Sequence, residues 1–227
     1  MSRGVFVTGT DTGVGKTLAS CALIHALARR GVAAVPMKPV AAGASLHGGR
    51  WLNDDTAALL QASGMPAEWA ARITPVLLRE PMAPHIAAAR EGRAIALEPV
   101  QEALRALGAG GRFLVVDGVG GFRVPLDART DTVDLARLAG LPVLLVVGLR
   151  LGCLNHALLT AQAVAAAGLG FAGWIANEID PAMAAVDDNV QALRERLPGP
   201  LLGRLPFCAS PDARTLAAHL DVSPLIP

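Results

Sequence analysis

The segment Gly9-Thr10-Asp11-Thr12-Gly13-Val14-Gly15-Lys16-Thr17 restricts the fold of this chain more than any other. Before it stands Gly4-Val5-Phe6-Val7-Thr8, short, apolar and β-branched, which reads as a buried strand. After it, Leu18, Cys21, Ala22, Leu23, Ala26 and Leu27 give an apolar face to a helix over Leu18 to Arg29, with Gly31 near its stop. A glycine-rich turn between strand and helix is the architecture of a phosphate-binding loop. Its usual pattern is G-x-x-x-x-G-K-[ST]. Here Thr10 takes the first glycine position and Gly9 lies one residue earlier, so the loop is one residue longer. Gly13 and Gly15 let the backbone curl until successive N–H groups face phosphate oxygens. The helix start adds partial positive charge, Lys16 reaches the β- and γ-phosphates, and the Thr17 hydroxyl is placed to ligate Mg²⁺.

Apolar runs alternate with helical stretches along the rest of the chain. Strands are expected at Ala33 to Met37, Phe113 to Asp117, Pro142 to Val147, Phe171 to Ala176 and Leu201 to Leu205. Helices are expected at Ala57 to Ala62, opened by Asn53-Asp54-Asp55-Thr56, and at Pro99 to Leu107, Asn155 to Ala167 and Met183 to Arg196. Residues 64–95 carry four prolines and resist assignment. Strand–helix alternation implies βαβ units and a parallel sheet covered on both faces. With no linker and no internal repeat, residues 1–227 read as one domain; the strand order is not readable.

Hydrophobic residues make up 52% and charged residues 17%, which excludes a disordered chain. A net charge of +1 without basic runs gives no field for nucleic acid or an anionic membrane. No run of about 18 apolar residues escapes charge or glycine breaks, so no membrane span is expected. The first strand begins after three residues, leaving no signal peptide. Three scattered cysteines, Cys21, Cys153 and Cys208, without a C-x-x-C, argue for reduced thiols and a cytoplasmic location. Cys21 and Cys208 read as buried small hydrophobes rather than nucleophiles. His85 reads equally as a packing histidine or a contact, and His156 as packing at its helix start.

Lys16 and Lys38 are the only lysines among 20 lysines and arginines. Arginine is a planar fork and lysine a point charge on a thin stem, so lysine is expected where arginine does not fit. Lys38 ends a strand and should project at the same sheet edge as the loop, toward phosphate or substrate; a snorkelling surface lysine is the alternative. Asp117 ends four apolar residues and should emerge at that edge too, as a carboxylate for Mg²⁺ or as a cap on the next turn. Asp54 or Asp55 either caps the following helix or, for Asp55, joins the metal.

Together, the loop, Lys38-Pro39-Val40, Asn53-x-Asp55, Gly118-x-Gly120-Gly121, Leu151-Gly152-Cys153-Leu154-Asn155-His156-Ala157 and Gly173-Trp174-Ile175-Ala176-Asn177 resemble dethiobiotin synthetases. The resemblance runs from residue 5 to about 207. It implies an α/β fold of P-loop NTPase type, a doubly wound, mainly parallel sheet of about seven strands with helices on both faces. It also implies a homodimer and the MgATP-driven closure of 7,8-diaminononanoate and CO₂ to dethiobiotin, through a carbamate and a carbamic–phosphoric anhydride. Lys16 and Lys38 would flank the transferring phosphoryl, with Thr17, Asp55 and Asp117 holding Mg²⁺. ATP would lie on Thr12, Gly13, Val14, Gly15, Lys16, Thr17, Leu18, Gly118, Val119 and Gly120. Asn177, Glu178, Pro206 and Phe207 would lie at its base. Thr12, Lys38, Ala42, Gly152, Cys153 and Asn155 would meet the substrate, with Asn155 near its carboxylate across the dimer interface. Three residues depart from the family: Ala42 for a common serine, Asp117 for a glutamate and Gly13 for a glutamate.

Three rival readings are weaker. Partition-type switch ATPases usually carry a lysine where Asp11 stands. A cobyrinate-amidating enzyme would continue into a glutaminase domain, for which 227 residues leave no room. A GTPase would show N-K-x-D, and Asn177-Glu178-Ile179-Asp180 lacks the lysine.

Overall fold

Val5, Phe6 and Val7 are almost wholly buried because the first strand, β1 (Arg3–Gly9), lies in the middle of a sheet with neighbours on both edges. The computed structural model describes residues 3–226. From β1 the chain passes through α1 (Lys16–Arg29) to β2 (Ala34–Met37). The short β3 (Val40–Ala42) leads into a hairpin of β4 (Ala44–His47) and β5 (Arg50–Asn53), and α2 (Asp54–Ser63) follows at once. Next come α3 (Ala70–Ile73), β6 (Val76–Leu78), α4 (Pro84–Arg90) and α5 (Glu98–Gly108). The second half alternates: β7 (Phe113–Asp117), α6 (Thr132–Ala139), β8 (Val143–Leu149), α7 (Cys153–Ala166), β9 (Phe171–Glu178), α8 (Val186–Arg196), β10 (Leu201–Leu205) and α9 (Ala213–Leu216).

The central sheet has six strands in the order β10-β9-β8-β1-β7-β2, and every pairing in it is parallel. The expected count of about seven therefore becomes six. A further parallel strand, β6, pairs with β3 instead, Val40 opposite Val76 and Ala42 opposite Leu78. Lys38-Pro39 interrupts the ladder between β2 and β3, because proline has no N–H to contribute. That bend carries β3 and β6 out of the main sheet.

Alternation along β8 divides the interior. Leu145, Val147 and Leu149 face α7 and α8 with Cys153, Ala157, Ala161 and Leu193, while Leu144 and Val146 join the larger core with α1, α2, α5 and α6. The central strands β1, β7 and β8 are thus buried on both faces, which is why they read as unbroken apolar runs. From β1 the chain winds one way to β2 and β7, then crosses back to β8. The carboxyl ends of β1, β7 and β8 therefore border the crevice where such sheets bind ligands.

Candidate active site

The helix α1 begins at Gly15, held at φ 78° in the left-handed region. A Cβ there would lie 2.2 Å from the Asn177 amide nitrogen. Glycine is required twice over, by conformation and by the close approach of β9. Asn177 itself is buried and donates to the Val14 carbonyl at 2.9 Å, so it braces the loop from behind.

Lys38 and Asp117 meet at the next layer. The Lys38 side chain is 3% exposed, yet its ammonium has three acceptors: Asp55 Oδ2 at 2.7 Å, Asp117 Oδ2 at 2.8 Å and the Gly118 carbonyl at 3.1 Å. Asp117 is fully buried, and also accepts from Thr17 Oγ1 at 2.8 Å and Ser20 Oγ at 3.1 Å. Burial opposes the Lys38 charge, but Asp117 and then Asp55 outweigh it and hold its pKa above that of ordinary lysine. Burial would likewise raise the Asp55 carboxyl, and Lys38 overrides it and keeps it below the usual range. Lys16 shifts the other way: burial lowers its pKa, Asp117 opposes that, and Lys38 adds to it. Behind Asp117, burial and the two carboxylates push the Cys21 thiol up to about 12, which makes it a poor nucleophile.

A cavity of about 730 Å³ opens beside these groups. Its floor is Thr12, Gly13, Gly15, Lys16, Thr17 and Leu18; Lys38 and Asp55 flank it; Val119, Gly120 and Val124 close one end. Ala42 with Pro81, Met82, Ala83 and Pro84 completes the lining as a further wall. Val14, Gly118 and Asp117 lie beneath the loop rather than on the cavity wall. Asp55 and Asp117 both meet the Lys38 ammonium and Thr17 Oγ1 donates to Asp117, so the three place oxygen donors together, and such a hard set suits Mg²⁺.

Other candidates lie apart from this cavity. Gly152, at φ 93°, precedes α7; Cys153 is buried beneath it and Asn155 is exposed. None of the three lines the cavity. Glu178 is paired with Arg204. Pro206 is partly exposed, Phe207 is exposed beyond β10, and Cys208, expected to be buried, is exposed as well, since it follows the end of the edge strand.

The cap of α2 is neither aspartate expected for it. Asn53 Oδ1 accepts from the Asp55 and Thr56 backbone N–H groups, which leaves the Asp55 carboxylate free to meet Lys38. Three further features escape a reading of the sequence. Ser20 is a buried polar residue one turn beyond Thr17 on the otherwise apolar face of α1, and that placement is its signal. Arg150 reaches Asp11 of the loop at 2.5 Å, joining segments 139 residues apart. The wall from Pro81 to Pro84 lies in the proline-rich stretch without periodicity.

Among the described residues, no helix is long and apolar enough to cross a membrane. A family model described as an AAA domain matches residues 3–214. The chain is 54% identical to the ATP-dependent dethiobiotin synthetase of Aromatoleum aromaticum, covering 96% of each chain. It is 52% identical to that of Ralstonia nicotianae, over 97% of this chain and 96% of the relative. Among solved structures, the cell division ATPase MinD of Pyrococcus furiosus matches with a TM-score of 0.52 at 19% identity, covering 91% of this chain and 84% of that one. A ParA family ATPase from Chlorobium tepidum matches at 0.52 and 15%, covering 91% and 85%. These structural likenesses establish a P-loop fold and no more, whereas the sequence relatives are near full length at half identity: the chain belongs to the ATP-dependent dethiobiotin synthetases, a family of ligases in biotin biosynthesis.

Proposed function

We propose that this chain joins 7,8-diaminononanoate and CO₂ to form dethiobiotin at the expense of MgATP, through a carbamate and a carbamic–phosphoric anhydride. The observation that carries the reading is the convergence of Lys16, Lys38, Thr17 and Asp55 around one cavity, with Asp117 directly behind. One amine adds to CO₂, forming a C–N bond and losing a proton, to give the carbamate. A carbamate oxygen then attacks the γ-phosphorus; the new O–P bond forms as the bond to ADP breaks. The second amine attacks the carbamoyl carbon, phosphate leaves, and a proton passes to solvent as the ring closes.

Little covalent work falls to the protein, so positioning and charge stabilisation dominate. Lys16 presents its charge to the phosphates from the loop, and its burial raises the strength of that contact. Lys38 exchanges its present acceptors for phosphoryl and carbamate oxygens. Thr17, Asp55 and Asp117 would hold Mg²⁺, which supplies neutralisation of the β- and γ-phosphate charge. Asn177, Glu178, Pro206 and Phe207 are assigned to the base by resemblance, and Gly152, Cys153 and Asn155 to the substrate of the partner protomer in a cytoplasmic homodimer. Ala42 leaves an apolar patch where relatives place a hydroxyl.

The test is ADP release with diamine and bicarbonate omitted in turn. Release should fall to background when either is absent. Hydrolysis indifferent to both would favour a nucleotide switch of the partition type instead.

A further inference from the structure

The cap of α2 does more than a cap requires. Serine, threonine or aspartate at that position would accept from the first N–H groups equally well. Asn53 is 7% exposed and uses both ends of its amide. Oδ1 takes the Asp55 N–H at 3.0 Å and the Thr56 N–H at 3.4 Å. Nδ2 donates to the Ala42 carbonyl at 3.2 Å and the Gly43 carbonyl at 2.9 Å. Two donors meet two carbonyl oxygens and one oxygen meets two N–H groups, so only this orientation of the amide satisfies the network.

Those partners belong to two separate segments that both line the cavity. Ala42 lies on its wall, and Gly43, at φ 86°, sits so close to Pro81 that a Cβ would lie 3.0 Å from the proline ring. Pro81 is also on that wall. In the second segment, Asp55 lines the cavity and extends its carboxylate to Lys38. The hairpin between them is long in sequence, but Ala44 pairs with Asn53 at its base.

We infer that Asn53 is a positioning residue that fixes the Ala42–Gly43 wall and the Asp55 carboxylate relative to each other. Geometry on the acceptor side and on the nucleotide side is therefore set by one amide group. This rests on the reaction assigned above, in that the wall is taken to face the diamine.

Asn53→Ser and Asn53→Asp test it, since both retain a capping oxygen and lose the bridge. Asn53→Asp keeps the shape but turns a carboxylate oxygen toward two carbonyls. In Asn53→Ser the diamine KM should rise about fivefold, the scale of one lost hydrogen bond. Calorimetric affinity for a non-hydrolysable ATP analogue should fall by a similar factor in the presence of Mg²⁺ and stay unchanged without it. Asn53→Asp should be worse on both counts. A lowered melting temperature with both constants unchanged would mark a simple cap and overturn the inference, as would a change in only one constant. Failure of the reaction reading is distinct: the parent would then show ADP release indifferent to diamine.

Discussion

At the scale of single residues, Lys38 explains why lysine persists in a chain that otherwise uses arginine. An ammonium has three N–H donors, and the structure supplies three acceptors in Asp55, Asp117 and the Gly118 carbonyl. A guanidinium presents five donors in a rigid plane and needs more room than a side chain 3% exposed is given. Lys38→Arg should therefore keep the charge but lose turnover by about 100-fold or more, a loss of transition-state contacts of roughly 3 kcal/mol. Steady-state phosphate release checks this, and a rate near the parent's would show that charge alone suffices. Asp117 is held by hydroxyls on both oxygens, Thr17 on one and Ser20 on the other, so its buried carboxylate is fully partnered.

Elements were legible where their own residues fix them. Phe113 to Asp117 and Leu201 to Leu205 are strands with the bounds expected, the first from four consecutive apolar residues and the second from leucines at 201, 202 and 205. The helix starts differ by one to three residues, as with α8, which begins at Val186 rather than Met183. What stayed hidden depends on distant partners. β3 and β6 are three residues each and exist only because they pair across 36 positions. The β4–β5 hairpin turns at Gly48-Gly49 but alternates poorly, with Leu46 and Trp51 exposed. In α6 the capping box uses Asp131 and Asp134, where the usual signal ends in Glu or Gln. Within the site, the loop, Lys38 and Asp117 follow from strand ends, whereas the brace from β9 does not. Asn177 was assigned to the base by resemblance, yet its amide spans the gap to Val14. Asn177→Ala should leave that buried carbonyl unpaired and lower unfolding free energy by about 1–3 kcal/mol. Urea titration without nucleotide reads this directly, because a residue that met only the base would leave it unchanged.

For the whole molecule, sheet order explains which parts of the site one chain supplies. β1 lies between β7 and β8, so the loops after all three open on one edge. Arg150, following β8, ties that edge to Asp11 of the phosphate loop. Beyond it Leu151 is 94% exposed, and α7 carries Leu159 at 55%. Leu151, just before α7, and Leu159 on it thus leave apolar side chains in solvent, while Gly152, Cys153 and Asn155 take no part in lining the chain's own cavity. This is the arrangement expected if the start of α7 completes the site of a second copy. In a two-fold dimer each site would then combine Lys38 of one protomer with Asn155 of the other. Asn155→Asp would place a carboxylate at the helix N-terminus where the substrate's is received, and repel it. Lys38→Met would disable the phosphoryl side. Each variant alone should be inactive, but a mixed dimer carries both defects in one site and none in the other. Random exchange makes about half the dimers mixed, so an equimolar mixture should recover about a quarter of parent activity. No recovery, in a mixture shown by mass to have exchanged subunits, would place Asn155 and Lys38 of the same chain in one site and overturn the shared arrangement.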